Sequence, residues 1–248
     1  MGAANAPSSH PTTPDTPDNT THPPPREYGP HVVERDWVAW HDPYDDDGSP
    51  LHRRLQIVQR HIAAVVDSAP EGAIRAVSLC AGQGRDLIGA LAVHPRRAEV
   101  AARLVELDER NVELARAAAR KVGLELVEAV AADASMSDAY DGAVPADLVL
   151  VCGVFGNISD ADIMRTIEFL PQLCAENATV IWTRHRRPPD ATPVIRACFE
   201  TSGFDEIAFD APDDLFFGVG VNRLRTPPAP LQPGVRLFDF VAYDSAGP

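Results

Sequence analysis

Short apolar runs alternate with amphipathic helical segments along most of this chain, and this alternation constrains the fold more than any other feature. Strands joined by helical crossovers pair in parallel, with the helices stacked on the faces of the sheet. The run 146–151 is apolar throughout, which is typical of a strand covered on both faces. We therefore predict an α/β fold with a doubly wound, mostly parallel seven-stranded sheet. Its strands are expected at 74–79, 102–107, 124–131, 146–151, 178–183, 206–209 and 218–224.

Composition divides the chain into three zones. Residues 1–27 are rich in Pro and Thr and almost devoid of apolar side chains, which predicts a disordered tail. Residues 28–70 are expected to form an arm and a helix. Residues 71–248 hold the predicted sheet, and a strand-like run at 235–243 is expected to add to one of its edges.

The arm concentrates aromatic residues in a chain that has few of them, with Trp37, Trp40, His41 and Tyr44 close together. This cluster indicates either an anchor that packs the arm onto the body or a lid over a pocket, and we expect an N-terminal helical lid. Ser49 and Pro50 predict the start of the helix, because Ser caps helices and Pro suits their first position.

The chain carries 22 basic and 36 acidic residues, for a formal net charge of −14. Duplex binding requires phosphates to be neutralised and anionic membranes attract basic segments, so this charge argues against both partners. A small anionic ligand needs only a local basic site. The four cysteines have neither zinc nor redox-pair spacing, and we predict no metal site. The sequence shows no signal segment and no spanning helix, so the expected location is the cytoplasm.

A glycine-rich turn follows the first predicted strand, where the sequence reads Cys-Ala-Gly-Gln-Gly-Arg-Asp over 80–86. Gly82 and Gly84 allow a tight turn and let a ligand approach the backbone, while the next helix offers free amide groups. A purely structural turn is the alternative. A dinucleotide fingerprint needs a third glycine where this chain has Leu87, which disfavours a nicotinamide-dependent oxidoreductase.

Two acidic residues follow the next two predicted strands. Glu106 ends the second strand, where a carboxylate can accept two hydrogen bonds from ribose hydroxyls. Asp108 is a weaker candidate, because it stands where a helix cap is expected. Asp133 follows the third strand, where it can accept a hydrogen bond from an adenine amino group while the amide of Ala134 bonds a ring nitrogen.

Together, the glycine-rich turn and the two acids resemble the class I S-adenosylmethionine-dependent methyltransferases over roughly residues 72–224. The resemblance implies S-adenosylmethionine (SAM) as cofactor. It places Gly82 and Gly84 under the methionine part and Glu106 at the ribose, with Cys152 and Gly153 near the sulfonium. The implied cofactor-binding residues are Cys80, Ala81, Gly82, Gly84, Asp86, Glu106, Leu107, Asp133, Ala134, Cys152 and Gly153.

The chain departs from this family at two positions of the turn. Ser78 stands where the family often has an acid that orients the cofactor's amino group, and Cys80 stands where it often has glycine. We expect Asp86 to take over part of the missing role. The fourth strand also lacks the Asn/Asp-Pro-Pro-Tyr signature of nucleic-acid amino-methylating enzymes, in agreement with the acidic charge.

The densest basic cluster, 184–187, follows the fifth predicted strand. Carboxyl ends of strands line the ligand crevice of open sheets, so these residues are expected at its rim. Arginine there favours an acidic substrate, and His185 is the first candidate for a general base, with His41 the second. A solvated loop is the alternative. The candidate substrate-binding residues are Tyr44, Phe155, Asn157 and Arg184.

The expected function is methyl transfer from SAM to oxygen, nitrogen or sulfur of a small molecule, by in-line attack on the sulfonium methyl. Because the sulfonium supplies the reactivity, the protein mainly positions and desolvates the reactants. Two alternatives stay open. One is a different use of SAM, by aminocarboxypropyl transfer or cyclisation, and the other is a non-catalytic cofactor-binding module.

Overall fold

The computed structural model describes residues 1–2 and 36–241, and for Ala39 and Trp40 it describes the backbone. The predicted tail therefore lies outside the described residues, apart from the first two. Within the described part of the chain, no helix is long and apolar enough to cross a membrane.

Among the residues that the structure describes, seven strands form one sheet, in the spatial order β3-β2-β1-β4-β5-β7-β6. The first five pair in parallel, whereas β7 runs antiparallel to both β5 and β6. This confirms the predicted α/β class and the mostly parallel, seven-stranded sheet. The strands are β1 Ile74–Leu79, β2 Val100–Glu106, β3 Val127–Ala131, β4 Ala146–Val151, β5 Cys174–His185, β6 Phe204–Asp210 and β7 Phe217–Leu224.

The strand order reverses between β1 and β4. The chain moves outward from β1 to β3 and then returns to place β4 on the other side of β1. In open α/β sheets such a reversal leaves a crevice at the carboxyl ends of the two strands, where ligands bind. The topology therefore positions a site at the ends of β1 and β4, beside the end of β2.

In the described ranges, five α-helices cover the two faces of the sheet, namely α1 Pro50–Ser68, α2 Arg85–Ala92, α3 Glu109–Lys121, α4 Asp160–Phe169 and α5 Thr192–Thr201. The helix α1 begins as predicted, because the Ser49 side chain accepts a hydrogen bond from the His52 amide at 3.0 Å and Pro50 takes the first position. Its buried face includes Val58 and Ile62, which share a core cluster with α2 and α3. The helix of the predicted arm is thus packed into the helical layer.

The described part of the run 235–243, residues 235–241, does not add to a sheet edge, so the prediction is wrong for these residues. Its described residues form isolated antiparallel bridges with the loops after β3 and β4, pairing Arg236 with Met136 and Phe240 with Ile158. Leu237 and Phe238 are fully buried in the core cluster that includes α4 and α5. Burial of these two side chains holds the segment against the loops rather than along an edge strand.

Candidate cofactor-binding site

The turn after β1 is tight, as the sequence predicts. Three of the five residues 80–84 have a left-handed backbone conformation. Cys80, Gly82 and Gly84 have φ values of 50°, 55° and 67°. A Cβ atom on Gly84 would lie 2.7 Å from Leu104 Cδ1, so the close packing of β2 beneath the turn requires glycine there. Gly84 then caps α2.

Glu106 ties the ends of β1 and β2 together. Its Oε2 accepts the Gly82 amide at 2.8 Å, and its Oε1 accepts the amides of Leu107 and Asp108, each at 2.9 Å. A carboxylate offers about four acceptor positions, and these three amides leave about one of them for a ligand. The sequence predicts that Glu106 accepts two hydrogen bonds from a ribose, but most of its acceptor positions already bind the amides that fix the turn. Asp108 caps α3, as expected.

Asp133 and Ala134 lie after β3 at the same edge of the sheet. Asp133 Oδ1 accepts the amide and the hydroxyl of Ser135 at 2.9 and 2.6 Å, and its Oδ2 lies 3.3 Å from Arg236 Nη1. The Cys80 thiol is partly buried near Glu106 and Asp133. Burial raises the pKa of Cys80 well above its usual value, and the charges of Glu106 and Asp133 raise it further. Cys80 therefore stays protonated at neutral pH.

Cys152 and Gly153 follow β4 on the other side of the crevice. The Gly153 amide donates to Thr183 Oγ1 of β5 at 2.9 Å, and a Cβ on Gly153 would meet no atom within 4 Å. There is thus open space beside this residue. Burial raises the pKa of the Cys152 thiol well above its usual value, and the nearby charge of Asp86 adds to the effect.

The N-terminal arm lies directly on the glycine-rich turn. A Cβ on Gly82 would overlap the His41 ring, whose centroid is 5.8 Å from that of Tyr44. His41 Nδ1 lies 2.6 Å from the Trp37 carbonyl oxygen, which can only accept, so Nδ1 carries the hydrogen. Burial lowers the pKa of His41. The hydrogen bond to Trp37 raises this pKa, and the charges of Arg85 and Arg54 lower it further. A neutral imidazole therefore covers the turn.

His41 and Tyr44 of the arm form one wall of the crevice, and Arg54 completes it. Our sequence reasoning missed Arg54. Its guanidinium donates to the Tyr44 hydroxyl and lies 5.8 Å from the centre of that ring. Across from it, burial raises the pKa of Asp86, while the charge of Arg54 lowers it. The sequence did hold a signal, because position 54 stands four residues before Val58 and so borders the buried face of α1.

Of the four predicted substrate residues, Tyr44 lies in the arm, whereas Phe155, Asn157 and Arg184 lie at the ends of β4 and β5. Arg184 donates to the Phe155 carbonyl oxygen, and Asn157 Nδ2 donates to that of Gly153 at 2.5 Å. These two side chains hold the loop after β4. His185 is exposed beside Gly156, and partial burial together with the charges of Arg184 and Arg187 lowers its pKa.

The prediction that Phe155 contacts substrate is wrong. Its side chain is fully buried, with ring centroids 6.0 Å from Trp182 and 6.5 Å from Phe199. The ring packs among the aromatic side chains of the core, and the Phe155 carbonyl oxygen accepts the hydrogen bond from Arg184. His41 and His185, the two candidate bases, lie on different walls of the crevice. The described residues include no cluster of His, Cys, Asp and Glu that could hold a metal ion.

Solved structures resemble this fold at low sequence identity. The magnesium protoporphyrin IX methyltransferase from Synechocystis with bound SAM matches with a TM-score of 0.60 and 14% identity, over 76% of this chain and 90% of that one. An O-methyltransferase family protein from Burkholderia thailandensis matches with a TM-score of 0.59 and 14% identity, over 76% of this chain and 59% of that one. The cyclase SpnF matches with a TM-score of 0.50 and 12% identity, over 69% of this chain and 82% of its own.

The same Synechocystis enzyme with bound S-adenosylhomocysteine also matches, with a TM-score of 0.57. In sequence, no family model and no curated protein matches the chain. The chain therefore has the class I SAM-dependent methyltransferase fold, as the resemblance implied. The proteins that share this fold include both methyltransferases and a cyclase, so the fold leaves the reaction open.

Proposed function

We propose that this protein is a SAM-dependent methyltransferase that acts on a small molecule. The observation that carries the proposal is the junction of Gly82 with Glu106 at the strand-order reversal. A carboxylate fixed there by three amides presents its remaining acceptor position at the carboxyl ends of β1 and β2. In this sheet architecture that is the position from which an acid binds ribose.

The residues around Glu106 fit an adenosine. Asp133 and the buried Ala134 lie at the end of the neighbouring strand, where they would hold the adenine edge. Leu107 is 67% exposed beside Glu106, although it is an apolar residue at the end of a buried strand. Its side chain would gain burial under the adenine ring, which favours binding.

Arg54 and Asp86 fit the amino-acid end of the same cofactor. One cation and one carboxylate border the turn next to Cys152, and a methionine group carries the two opposite charges. Arg54 would hold the carboxylate and Asp86 the ammonium, which gives this chain a partner for the amino group in place of the acid missing at Ser78. Arg85 is fixed away from this role, because it pairs with Asp45.

The bound cofactor supplies an electrophilic methyl group on a sulfonium, and the chain's own residues position the acceptor and limit side reactions. Cys152 would lie near the sulfur, so its thiol competes with the acceptor. Because burial keeps this thiol protonated, it is a poor nucleophile and leaves the methyl group for the acceptor. The open space beside Gly153 provides room for the acceptor to approach.

His185 is our choice for the base when the acceptor atom starts protonated. It lies at the end of β5, with its ring beside Gly156 of the loop after β4. Its lowered pKa leaves the imidazole neutral at pH 7, as proton removal requires. His41 is also neutral, but it is placed over Gly82, where it would contact the methionine part.

This assignment predicts a pH profile. The rate should be constant at neutral pH and should fall as the pH drops through a pKa below the usual 6.5 of histidine, because the protonated imidazole cannot accept a proton. Arg187→Gln removes a charge that lowers this pKa, so the falling limb should move to higher pH. Initial rates under saturating SAM would measure both profiles. An unchanged profile in His185→Asn would contradict the role of His185 as base.

A second candidate function is a reaction of SAM other than methyl transfer, or a reaction of a different kind in the same fold. Two observations favour it: the fold match to the cyclase SpnF, and the Cys80 and Ser78 departures at the turn. Cys80 puts a side chain near Glu106 and Asp133, where the family that the chain resembles often has glycine.

The by-product of the reaction separates these functions. We expect the full chain, incubated with SAM and a panel of phenols, carboxylic acids, amines and thiols, to release S-adenosylhomocysteine together with a product heavier by one methylene. Mass spectrometry of the quenched mixture would measure both. Release of methylthioadenosine instead would contradict methyl transfer and support aminocarboxypropyl transfer or cyclisation.

A further inference from the structure

The loop between β6 and β7 presents a phenylalanine to solvent at the rim of the proposed site. Phe216 is 68% exposed, whereas its neighbours Leu215 and Phe217 are each 5% exposed. An exposed ring of this size forgoes apolar burial, and a single exposed apolar residue needs no explanation by itself. The position of Phe216 at the end of β5 and the charge of its neighbour Arg187 are the observations that point to a function.

Phe216 is positioned at the ligand-binding edge of the sheet. His185, the last residue of β5, pairs with Phe217, the first residue of β7. One residue further on, the Arg186 amide donates to the Phe216 carbonyl oxygen at 2.8 Å. Phe216 and Arg187 thus lie just beyond the carboxyl end of β5, next to the proposed base, at the edge where substrates of open sheets bind.

The exposure of Phe216 is not the result of a loosely held loop. Asp214 pairs with Arg53 of α1 at 2.6 Å, and Asp210 at the start of the loop pairs with Arg60 at 3.1 Å. From the other side, Arg186 Nη1 donates to the Ala211 carbonyl oxygen at 3.1 Å. The loop is thus tied to α1 and to Arg186, and Leu215 is buried beside the exposed Phe216.

Arg187 adds an unneutralised positive charge to this edge. Within the part of the chain that the structure describes, its exposed guanidinium has no ion pair and no hydrogen bond, whereas Arg186 lies 3.5 Å from Asp190. Asp213 is exposed on the loop, but it lies outside ion-pair distance of Arg187. In a chain of net charge −14, this cation is a local exception suited to a carboxylate.

We propose that Phe216 and Arg187 form the acceptor subsite, and that the acceptor is an aromatic carboxylate. Phe216 would stack on the ring and Arg187 would pair with the carboxylate, which turns the acceptor atom toward His185 and Gly153. This inference rests on the proposed function for the identity of the reaction, but the binding that it predicts is independent of SAM.

The test uses a matched pair of ligands, 2-naphthoate and its neutral analogue 2-naphthamide, added to the full chain and followed by ligand-detected NMR. We expect naphthoate to bind and naphthamide to bind more weakly. Phe216→Ala and Arg187→Gln should each weaken naphthoate binding by about three- to tenfold, as expected for one stacking contact or one solvent-exposed ion pair. Arg223→Gln, an exposed arginine near the opposite end of β7, is the control and should bind as the wild type does.

Three results would overturn the subsite: no binding of naphthoate, equal binding of both ligands, or wild-type affinity in the Phe216 and Arg187 variants. The variants stay comparable because both side chains are exposed and add little to folding, which thermal melts would check. A wild-type chain that binds naphthoate through these residues but does not bind SAM would keep the subsite and reject the proposed function. A chain that binds SAM but does not bind naphthoate would keep the proposed function and reject the subsite.

Discussion

Glu106→Gln is expected to weaken SAM binding by about 10- to 100-fold. The substitution keeps the size of the side chain but replaces one acceptor oxygen by an amide donor, which then faces a backbone N–H group of Gly82, Leu107 or Asp108. One hydrogen bond to a charged group is worth about 1.5–3 kcal/mol, and each 1.4 kcal/mol is a factor of about ten in affinity. Loss of the ribose contact and loosening of the turn act in the same direction.

Calorimetric titration with S-adenosylhomocysteine would measure this change. Glu125→Gln is the matched control, because Glu125 is an exposed acid in the turn before β3, remote from the glycine-rich turn. A circular-dichroism melt would confirm that both variants are folded. Wild-type affinity in a folded Glu106→Gln variant would remove Glu106 from the cofactor site.

Arg54→Gln and Asp86→Asn are expected to weaken SAM binding by a similar factor, about 10- to 100-fold, and to leave the binding of methylthioadenosine unchanged. Each substitution removes one charge opposite the amino-acid end of SAM. Methylthioadenosine keeps the adenosine and the sulfur but lacks the amino and carboxyl groups. The comparison of the two ligands therefore isolates the contribution of Arg54 and Asp86.

The neighbouring residue provides the control for this pair. Arg53→Gln removes an arginine from the same turn of α1, but Arg53 pairs with Asp214 on the surface, and such pairs contribute little. Arg53→Gln should therefore bind both ligands normally. If Arg54→Gln weakened SAM and methylthioadenosine equally, the effect would be a general disturbance of the arm, and the assignment of Arg54 to the carboxylate would be wrong.

The fold was predictable because its determinants are local. Apolar runs of strand length, helix caps such as Ser49 and turn glycines such as Gly84 act within a few residues of themselves, and parallel pairing follows from their alternation. The direction of β7 and the bridges of Arg236 and Phe240 were not predictable in this way. They depend on which surfaces the folded sheet leaves uncovered, and that is a tertiary property.

The site was predictable only where the strand ends determine it. Gly82, Glu106 and Asp133 follow strands that lie side by side, so their grouping follows from the topology. Arg54 lies on α1, and its spacing to Val58 indicates only that it borders the buried face of the helix, not which strand ends that face meets. The error at Phe155 has the same origin, since the pairing of its ring with Trp182 is a long-range contact.

Direct titration of SAM into the full chain, followed by calorimetry, would show whether the chain binds this cofactor. We expect one saturable site per chain for SAM, a comparable site for S-adenosylhomocysteine, and loss of most of the affinity in Glu106→Gln. Absence of binding by SAM and S-adenosylhomocysteine to the folded chain, or binding of a nicotinamide dinucleotide in their place, would contradict it.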